Sequence, residues 1–167
     1  MAVVNYHSAN GSYPPAFLAD AQGRPMHSWR VLLLPYLGQE DLFHDYDFSE
    51  PWDGPNNSKL AARMPKLYAF PGERGPTTNY LAVVGPGTVW PGRSTVTEKD
   101  VTDGLSNTIL LVENHGAGIH WMAPRDLSFA DMDFTINSPQ GLSSKYVDPA
   151  VAMLDGSIRR FETHLAP

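Results

Sequence analysis

The spacing of apolar and polar positions changes along the chain, from helix-like runs near its start to strand-like runs later. Residues 3–10 are compatible with a helix, and the NGSYPP that follows ends it, because glycine caps helices and proline cannot continue them. Ser28 can cap a second helix over residues 29–37, whose tryptophan, leucines and tyrosine form one apolar face. Pro35 should bend or end that helix.

Further short helices are predicted by capping and breaking residues. Residues 39–46 (QEDLFHDY) suit one or two helical turns, and Asn57 can cap a helix over SKLAARM that stops at Pro65. Residues 125–133 could form one more short helix, with Asp126 or Ser128 near its start.

Runs rich in β-branched and aromatic residues, separated by turn residues, predict the strands. These runs cover residues 66–71, 79–85, 107–114, 118–124 and 150–162. The last run contains Asp155-Gly156, a strong hairpin signal, and its alternation predicts that Val151, Met153 and Ile158 are buried.

The order of helices first and strands later predicts a single α+β domain over residues 1–167 with an antiparallel sheet. The 15 prolines and 14 glycines predict short elements joined by long loops. A net charge of −6 without clustered Lys and Arg argues against a nucleic-acid partner. The chain has no Cys, which excludes disulfides and thiolate metal sites, and it has no run of 18 apolar residues.

Six phrases in order resemble the DUF1559 family, also called bacterial solute-binding protein family 10. They are NYHSANGSYPP, HSWRVLLLPYLGQEDLF, TTNY, VTDGLSNTILLVEN, GIHWMAPRDLSF and AMLDGSIRRF. Members of that family are prepilin-like proteins abundant in Planctomycetes, in which N-Y-H ends a long helix that follows a membrane segment. The resemblance implies a pilin-like fold, with residues 1–10 as the stump of a truncated N-terminal helix packed on the sheet.

The same resemblance implies an exported protein of the periplasm or cell surface, which its full-length N-terminal helix would anchor in the membrane. Other envelope or pseudopilin-like subunits would be its partners, and a polysaccharide is a further candidate. The chain departs from the family pattern at two places. Phe70-Pro71-Gly72-Glu73 stands where members commonly have Cys-Pro-Ser-Asp, and Lys145 stands at the position of a His. Lys145 could pair with Asp155 or a neighbouring carboxylate instead.

The densest cluster of polar residues suited to catalysis contains Glu113, His115 and His120, followed by Asp126. If residues 107–114 and 118–124 form neighbouring strands, Glu113 and His120 meet at one hairpin end and could share zinc. The spacing fits no standard metal signature, and a solvated hairpin end is the alternative.

A second set of oxygen donors lies in KDVTDGLSNT, where Asp100, Asp103, Ser106 and Asn107 could bind calcium. The alternative is a turn at Asp103-Gly104 whose side chains hydrogen-bond to the backbone.

Aromatic residues beside the proline- and glycine-rich loops suggest a surface for sugar rings or other flat ligands. The candidates are Trp52, Trp90, Tyr46 and Tyr80.

Three hypotheses of function follow from these features. The first is a non-enzymatic, pseudopilin-like envelope or surface domain with a structural or interaction role and no cofactor. The second is an extracellular carbohydrate- or solute-binding module. The third is a small glycoside or ester hydrolase that uses Glu113, His115 or His120, or a pair of carboxylates. The ranking of scaffold or binding over catalysis rests on Lys145, since an ammonium group repels cations and stays protonated near neutral pH.

Overall fold

The computed structural model describes residues 2–146 and 148–161, and these residues form an α+β fold. The α-helices are α1 (Ala2–Asn10), α2 (Trp29–Leu32) and α3 (Glu40–Asp45). Short 3-10 helices cover Leu34–Leu37, Asn57–Arg63, Lys66–Tyr68, Glu98–Asp100 and Leu105–Asn107. None of the helices in this part of the chain is long and apolar enough to cross a membrane.

The strands are short and fall in the later part of the chain, apart from a first hairpin. They are β1 (Phe17–Ala19), β2 (Pro25–Ser28), β3 (Thr77–Thr78), β4 (Tyr80–Leu81), β5 (Val83–Val84), β6 (Ile109–Glu113), β7 (Ile119–His120), β8 (Leu127–Ser128), β9 (Ala150–Met153) and β10 (Ile158–Arg160). The largest sheet is antiparallel, with strands in the order β10-β9-β6-β4.

Helix α1 confirms the helix predicted at the start of the chain. Its Val3 is buried, Tyr6 meets the ring of Tyr36 edge-on at 5.5 Å between ring centres, and Asn10 donates to the Tyr36 hydroxyl at 2.9 Å. Among the described residues, the main neighbour of α1 is therefore the 3-10 helix Leu34–Leu37 and not the sheet on which the N-terminal helix was expected to pack.

Residues 28–38 follow the predicted capping chemistry. The Ser28 hydroxyl accepts a hydrogen bond from the backbone N–H of Arg30 and so begins α2. Pro35 lies in the first turn of the following 3-10 helix, which ends at Gly38 in the left-handed region at φ 69°. The predicted bend at Pro35 is thus a change of helix type after Leu32.

Two predictions for residues 57–71 are wrong. Asn57 does not cap a helix, because its buried amide accepts from the Asp47 N–H and donates to the Asp47 and Pro51 carbonyl oxygens, tying down the preceding loop. Residues 66–71 are not a strand, because a 3-10 helix over Lys66–Tyr68 follows Pro65.

The hairpin predicted over residues 150–162 is confirmed by the pairing of β9 with β10, with Gly156 at φ 89° in its turn, and residue 162 lies outside the described residues. Val151 and Met153 are buried as predicted, but Ile158 is 63% exposed. Ile158 pairs with Ala152, which alternates with the two buried residues and so points to the other face of the sheet.

The remaining strand predictions hold only in part. Strand β6 confirms residues 107–114, whereas residues 79–85 divide into β4 and β5, and only residues 119–120 of the run 118–124 form a strand. Residues 125–133 are not helical, because β8 runs parallel to β5 in this segment.

The apolar core has two parts. The main cluster joins the helical half to the sheet and contains the fully buried Trp29, Trp90 and Trp121. The second cluster includes Leu81, Val83, Val112, Val151 and Met153 of the sheet strands. A β-bulge between Ile109 and Leu111 lets Leu110 join the main cluster while Val112 joins the second.

Candidate functional site

Glu113 lies at the end of β6, and each of its two carboxylate oxygens accepts a hydrogen bond from a later part of the chain. It is 4% exposed, and it accepts hydrogen bonds from the Ser144 hydroxyl and, at 3.0 Å, from the Ala150 N–H. These bonds fasten the segment before β9 to the sheet. Glu113 therefore has the surroundings of a structural carboxylate.

His120 does not meet Glu113 across a hairpin as predicted, because β6 pairs with β4 and β9 whereas β7 pairs with β3. The chain leaves β6 through a loop in which the Gly118 N–H donates to the Asn79 side chain, and this directs it to another sheet. His115 in this loop is exposed.

The ring of His120 is partly buried and lies 4.9 Å from the ring centre of Trp52. Its Nδ1 accepts from the Met122 N–H at 3.3 Å. Burial lowers the pKa of His120, and the nearby Asp53 acts in the opposite direction. Among the described residues, no three His, Asp or Glu side chains come together as a metal site.

Asp126 forms a buried ion pair with Arg30, and the two side chains are 2% and 0% exposed. The carboxylate accepts from Arg30 Nη2 at 2.7 Å, from Trp29 Nε1 at 3.1 Å and from the Ala82 N–H at 2.8 Å. Burial is the largest influence and raises the pKa of Asp126, while Arg30 acts against it. Asp126 thus joins α2 to the sheet region, with its side chain shielded from solvent.

Two of the four aromatic candidates are core residues. Trp90 is 1% exposed and donates to the Leu110 carbonyl at 2.7 Å, and Tyr46 is 4% exposed with its hydroxyl 2.9 Å from His27 Nδ1. Burial raises the pKa of Tyr46. Trp52 and Tyr80 are partly exposed, so they alone among the four could meet a flat ligand.

The proposed calcium ligands lie in turns and are largely occupied by local bonds. Asp100 accepts from the N–H and hydroxyl of Thr97 in a capping box, and these bonds lower its pKa. Asn107 donates to the Asp103 carbonyl oxygen, and the Asp103 carboxylate accepts from Thr102 at 3.4 Å. Ser106 offers its carbonyl oxygen to Arg159. This arrangement fits the alternative of a hydrogen-bonded turn.

Lys145 does not pair with Asp155. Its ammonium group donates to the Pro71 carbonyl oxygen at 2.9 Å and lies 4.7 Å from the centre of the Phe70 ring. The Asp155 carboxylate instead accepts from Ser157, and this lowers its pKa. The two positions at which the chain departs from the resembled pattern are therefore in contact with each other.

The turn with Asp100 and Asp103 borders a feature that the sequence reasoning missed, a cleft of about 680 Å³ here named the apolar groove. Its walls come from β5, β6, β9 and the segments at residues 87–108 and 129–142. The apolar lining residues are Val83, Val89, Pro91, Val96, Val101, Ile109, Val112, Phe129, Met132, Phe134, Ile136, Leu142, Val151 and Phe161.

The groove leaves large apolar side chains in contact with water. Ile109 is 40% exposed, Phe129 45%, Phe134 68% and Phe161 38%. The sequence carried one signal for it, since FADMDFTI at residues 129–136 places large apolar residues among polar ones without the spacing of a buried strand. Concentrated exposed apolar surface marks a site of interaction.

The fold and the site together define an α+β domain with a ligand-sized apolar groove and with its buried polar residues committed to structure. The chain belongs to the DUF1559 family, because the family model SBP_bac_10, described as a protein of unknown function, matches residues 1–84. No curated protein and no solved structure matches the chain. Most of the residues that line the groove follow the matched segment.

Proposed function

We propose that this chain is a non-enzymatic interaction domain of the bacterial cell envelope, and that it acts by binding an apolar partner or solute in the apolar groove. The observation that carries the proposal is the difference in solvent exposure between the candidate catalytic carboxylates and the apolar side chains of the groove. Glu113 and Asp126 are buried in structural bonds, whereas four large apolar side chains of the groove stay exposed.

The dimensions and lining of the groove support binding. Small-molecule sites usually enclose about 300–1,000 Å³ and combine apolar walls with a few polar groups. The groove has about 680 Å³, and its polar lining is confined to a few Thr, Asn and Asp side chains. A surface built only for solubility would not collect Phe129 and Phe134 at one place.

The location outside the cytoplasm rests on the family, whose model name abbreviates a bacterial solute-binding protein. In this proposal α1 continues the arrangement of prepilin-like proteins, and the pilin-like fold, export and association with other envelope subunits follow from it. Protease added to intact producing cells should degrade the protein while leaving a cytoplasmic marker intact.

The carbohydrate alternative depends on exposed aromatic rings, and of its four candidates only Trp52 and Tyr80 are partly exposed. These two residues are 28 positions apart in the chain. Calcium and zinc have no part in the proposal. The hydrolase alternative would need Glu113 released from its bonds to Ser144 and Ala150.

Binding in the groove can be tested with the neutral dye N-phenyl-1-naphthylamine, whose fluorescence rises in apolar sites. The wild-type chain should enhance the dye, and Phe134→Ser should weaken the enhancement. Leu67→Ser is the matched control, because Leu67 is 69% exposed, like Phe134 at 68%, but lies outside the groove lining. Equal dye binding by both variants, or none by the wild type, would refute the proposal.

A further inference from the structure

We infer that the apolar groove selects small cationic amphipaths, which place an apolar body in the groove and an ammonium or similar head at Asp103 and Asp100. This inference rests on the proposed function, since it assigns a class of ligand to the same groove.

The charges in the groove lining have one sign. Among the described residues that line the groove, the ionisable ones are Asp100 and Asp103, and both lie at the end formed by residues 100–108. Asp131 and Asp133 are the sequence neighbours of the lining residue Met132, and neither lines the groove itself. A cleft lined by one sign of charge attracts ligands of the other sign, and its apolar walls strengthen the field.

The polar groups at this end accept hydrogen bonds more readily than they donate them. The Thr108 hydroxyl donates to the Gly104 carbonyl oxygen, the Thr88 hydroxyl to the Gly85 carbonyl oxygen, and one of the two amide N–H groups of Asn107 to the Asp103 carbonyl oxygen, so these donors are used within the fold. Within the described part of the chain, the Asp103 carboxylate accepts one long hydrogen bond, from the Thr102 hydroxyl at 3.4 Å. A ligand head that donates hydrogen bonds therefore fits, whereas a carboxylate head does not.

Arg159 brings a positive charge to the segment that carries Asp103. It donates to the Ser106 carbonyl oxygen at 2.6 Å and lies 3.4 Å from the Asn107 side-chain oxygen, not on Asp103. Arg159 is exposed and does not line the groove. Its positive charge weakens the negative electrostatic potential of the rim, but it does not occupy the Asp103 carboxylate that would hold the ligand head.

The test uses three ligands with one eight-carbon tail and different heads: octylammonium, octanol and octanoate. Each is titrated into isotopically labelled full chain, and the backbone amide shifts of residues 83, 109 and 151 report occupancy of the groove. Octylammonium should bind about fivefold more tightly than octanol, and octanoate more weakly than octanol, because partly exposed charge pairs contribute on this scale. The differences should shrink at 0.5 M salt.

Two variants locate the head group. Asp103→Asn should remove most of the advantage of octylammonium over octanol, measured as the ratio of the two affinities in the same variant. Asp41→Asn is the matched control, since Asp41 is also exposed but lies in α3, outside the groove. An equal loss in both variants would mean a general effect of net charge and would overturn the inference.

The possible results separate this inference from the proposed function. Equal affinity for all three ligands, or a preference for octanoate, would refute the cationic class while the groove remains a binding site. Absence of binding by all three, together with failure of the neutral dye, would refute both. Binding of octylammonium only after removal of residues 162–167, or only with loss of a dimer, would show that the chain itself fills the groove and would overturn the inference.

Discussion

Replacing Asp126 with Asn tests whether this carboxylate is the structural centre that its contacts indicate. The change keeps the size of the side chain but removes its charge, while the guanidinium of Arg30 remains buried. Arg30 lies with its guanidinium carbon 4.4 Å from the centre of the Trp29 ring, and among the described residues its Nε has no hydrogen-bond acceptor. Its other hydrogen-bond acceptors, the Ser28 hydroxyl and the Tyr80 carbonyl oxygen, are neutral, so they compensate only in part for the lost charge.

The expected loss follows from the geometry of the pair. Removing one partner from a buried ion pair costs about 3–5 kcal/mol, because the remaining charge has no counterion. The new amide NH₂ also faces groups that now donate to Asp126, among them Trp29 Nε1 and the Ala82 N–H, so at least one donor loses its acceptor. For a chain of this length, the change corresponds to a fall in melting temperature of about 6–20 °C.

Urea unfolding followed by tryptophan fluorescence measures the change in the free energy of unfolding. Asp45→Asn is the matched control, because Asp45 pairs with Arg63 at 2.5 Å with side chains 55% and 45% exposed. Exposed pairs contribute about 0–1 kcal/mol, so this control should unfold almost as the wild type does. A loss in Asp126→Asn no larger than in Asp45→Asn would refute the structural assignment and return Asp126 to the functional candidates.

Three smaller changes test other parts of the fold by urea unfolding. Gly156→Val should destabilise by about 1 kcal/mol or more, because valine disfavours the φ of 89° in the hairpin turn, and an unchanged midpoint would contradict that geometry. Lys145→Met should cost at most about 1 kcal/mol by removing the cation from the Phe70 ring, with little dependence on salt. Burial lowers the pKa of His27 below 6.5, so the unfolded chain takes up its proton first, and stability should fall as pH drops below about 6.5. His27→Gln should flatten this decrease, while an equal decrease in both proteins would show that other groups cause it.

Elements set by local chemistry were predictable from the sequence. The NGSYPP stop, the Ser28 cap and the Asp155-Gly156 turn act over a few residues, and each appears in the structure as expected. The error at Ile158 arose within a correct hairpin, because its exposure depends on the pairing register with Ala152 and not on its own hydrophobicity.

The candidate site depended on contacts between distant residues, and sequence reasoning failed there. Asp126 and Arg30 are 96 positions apart, and Glu113 fastens Ala150 from 37 positions away. A buried structural carboxylate and a catalytic carboxylate look alike in sequence, because their roles are set by the donors that the fold brings to them. The apolar groove escaped notice for the same reason, since its walls come from separate strands and loops.

The contact between Lys145 and Phe70 connects the two departures from the resembled family pattern. A Cys and a His at these positions would place a thiol near an imidazole, whereas this chain places an ammonium group over an aromatic ring. The Phe70 ring is 3% exposed and also lies 6.1 Å from the ring of Tyr146, so the substituted position packs as an apolar residue. Lys145 meanwhile satisfies the Pro71 carbonyl oxygen. At these two positions the chain thus has a pair of side chains that packs and hydrogen-bonds, which agrees with the proposal that this domain binds a partner or solute.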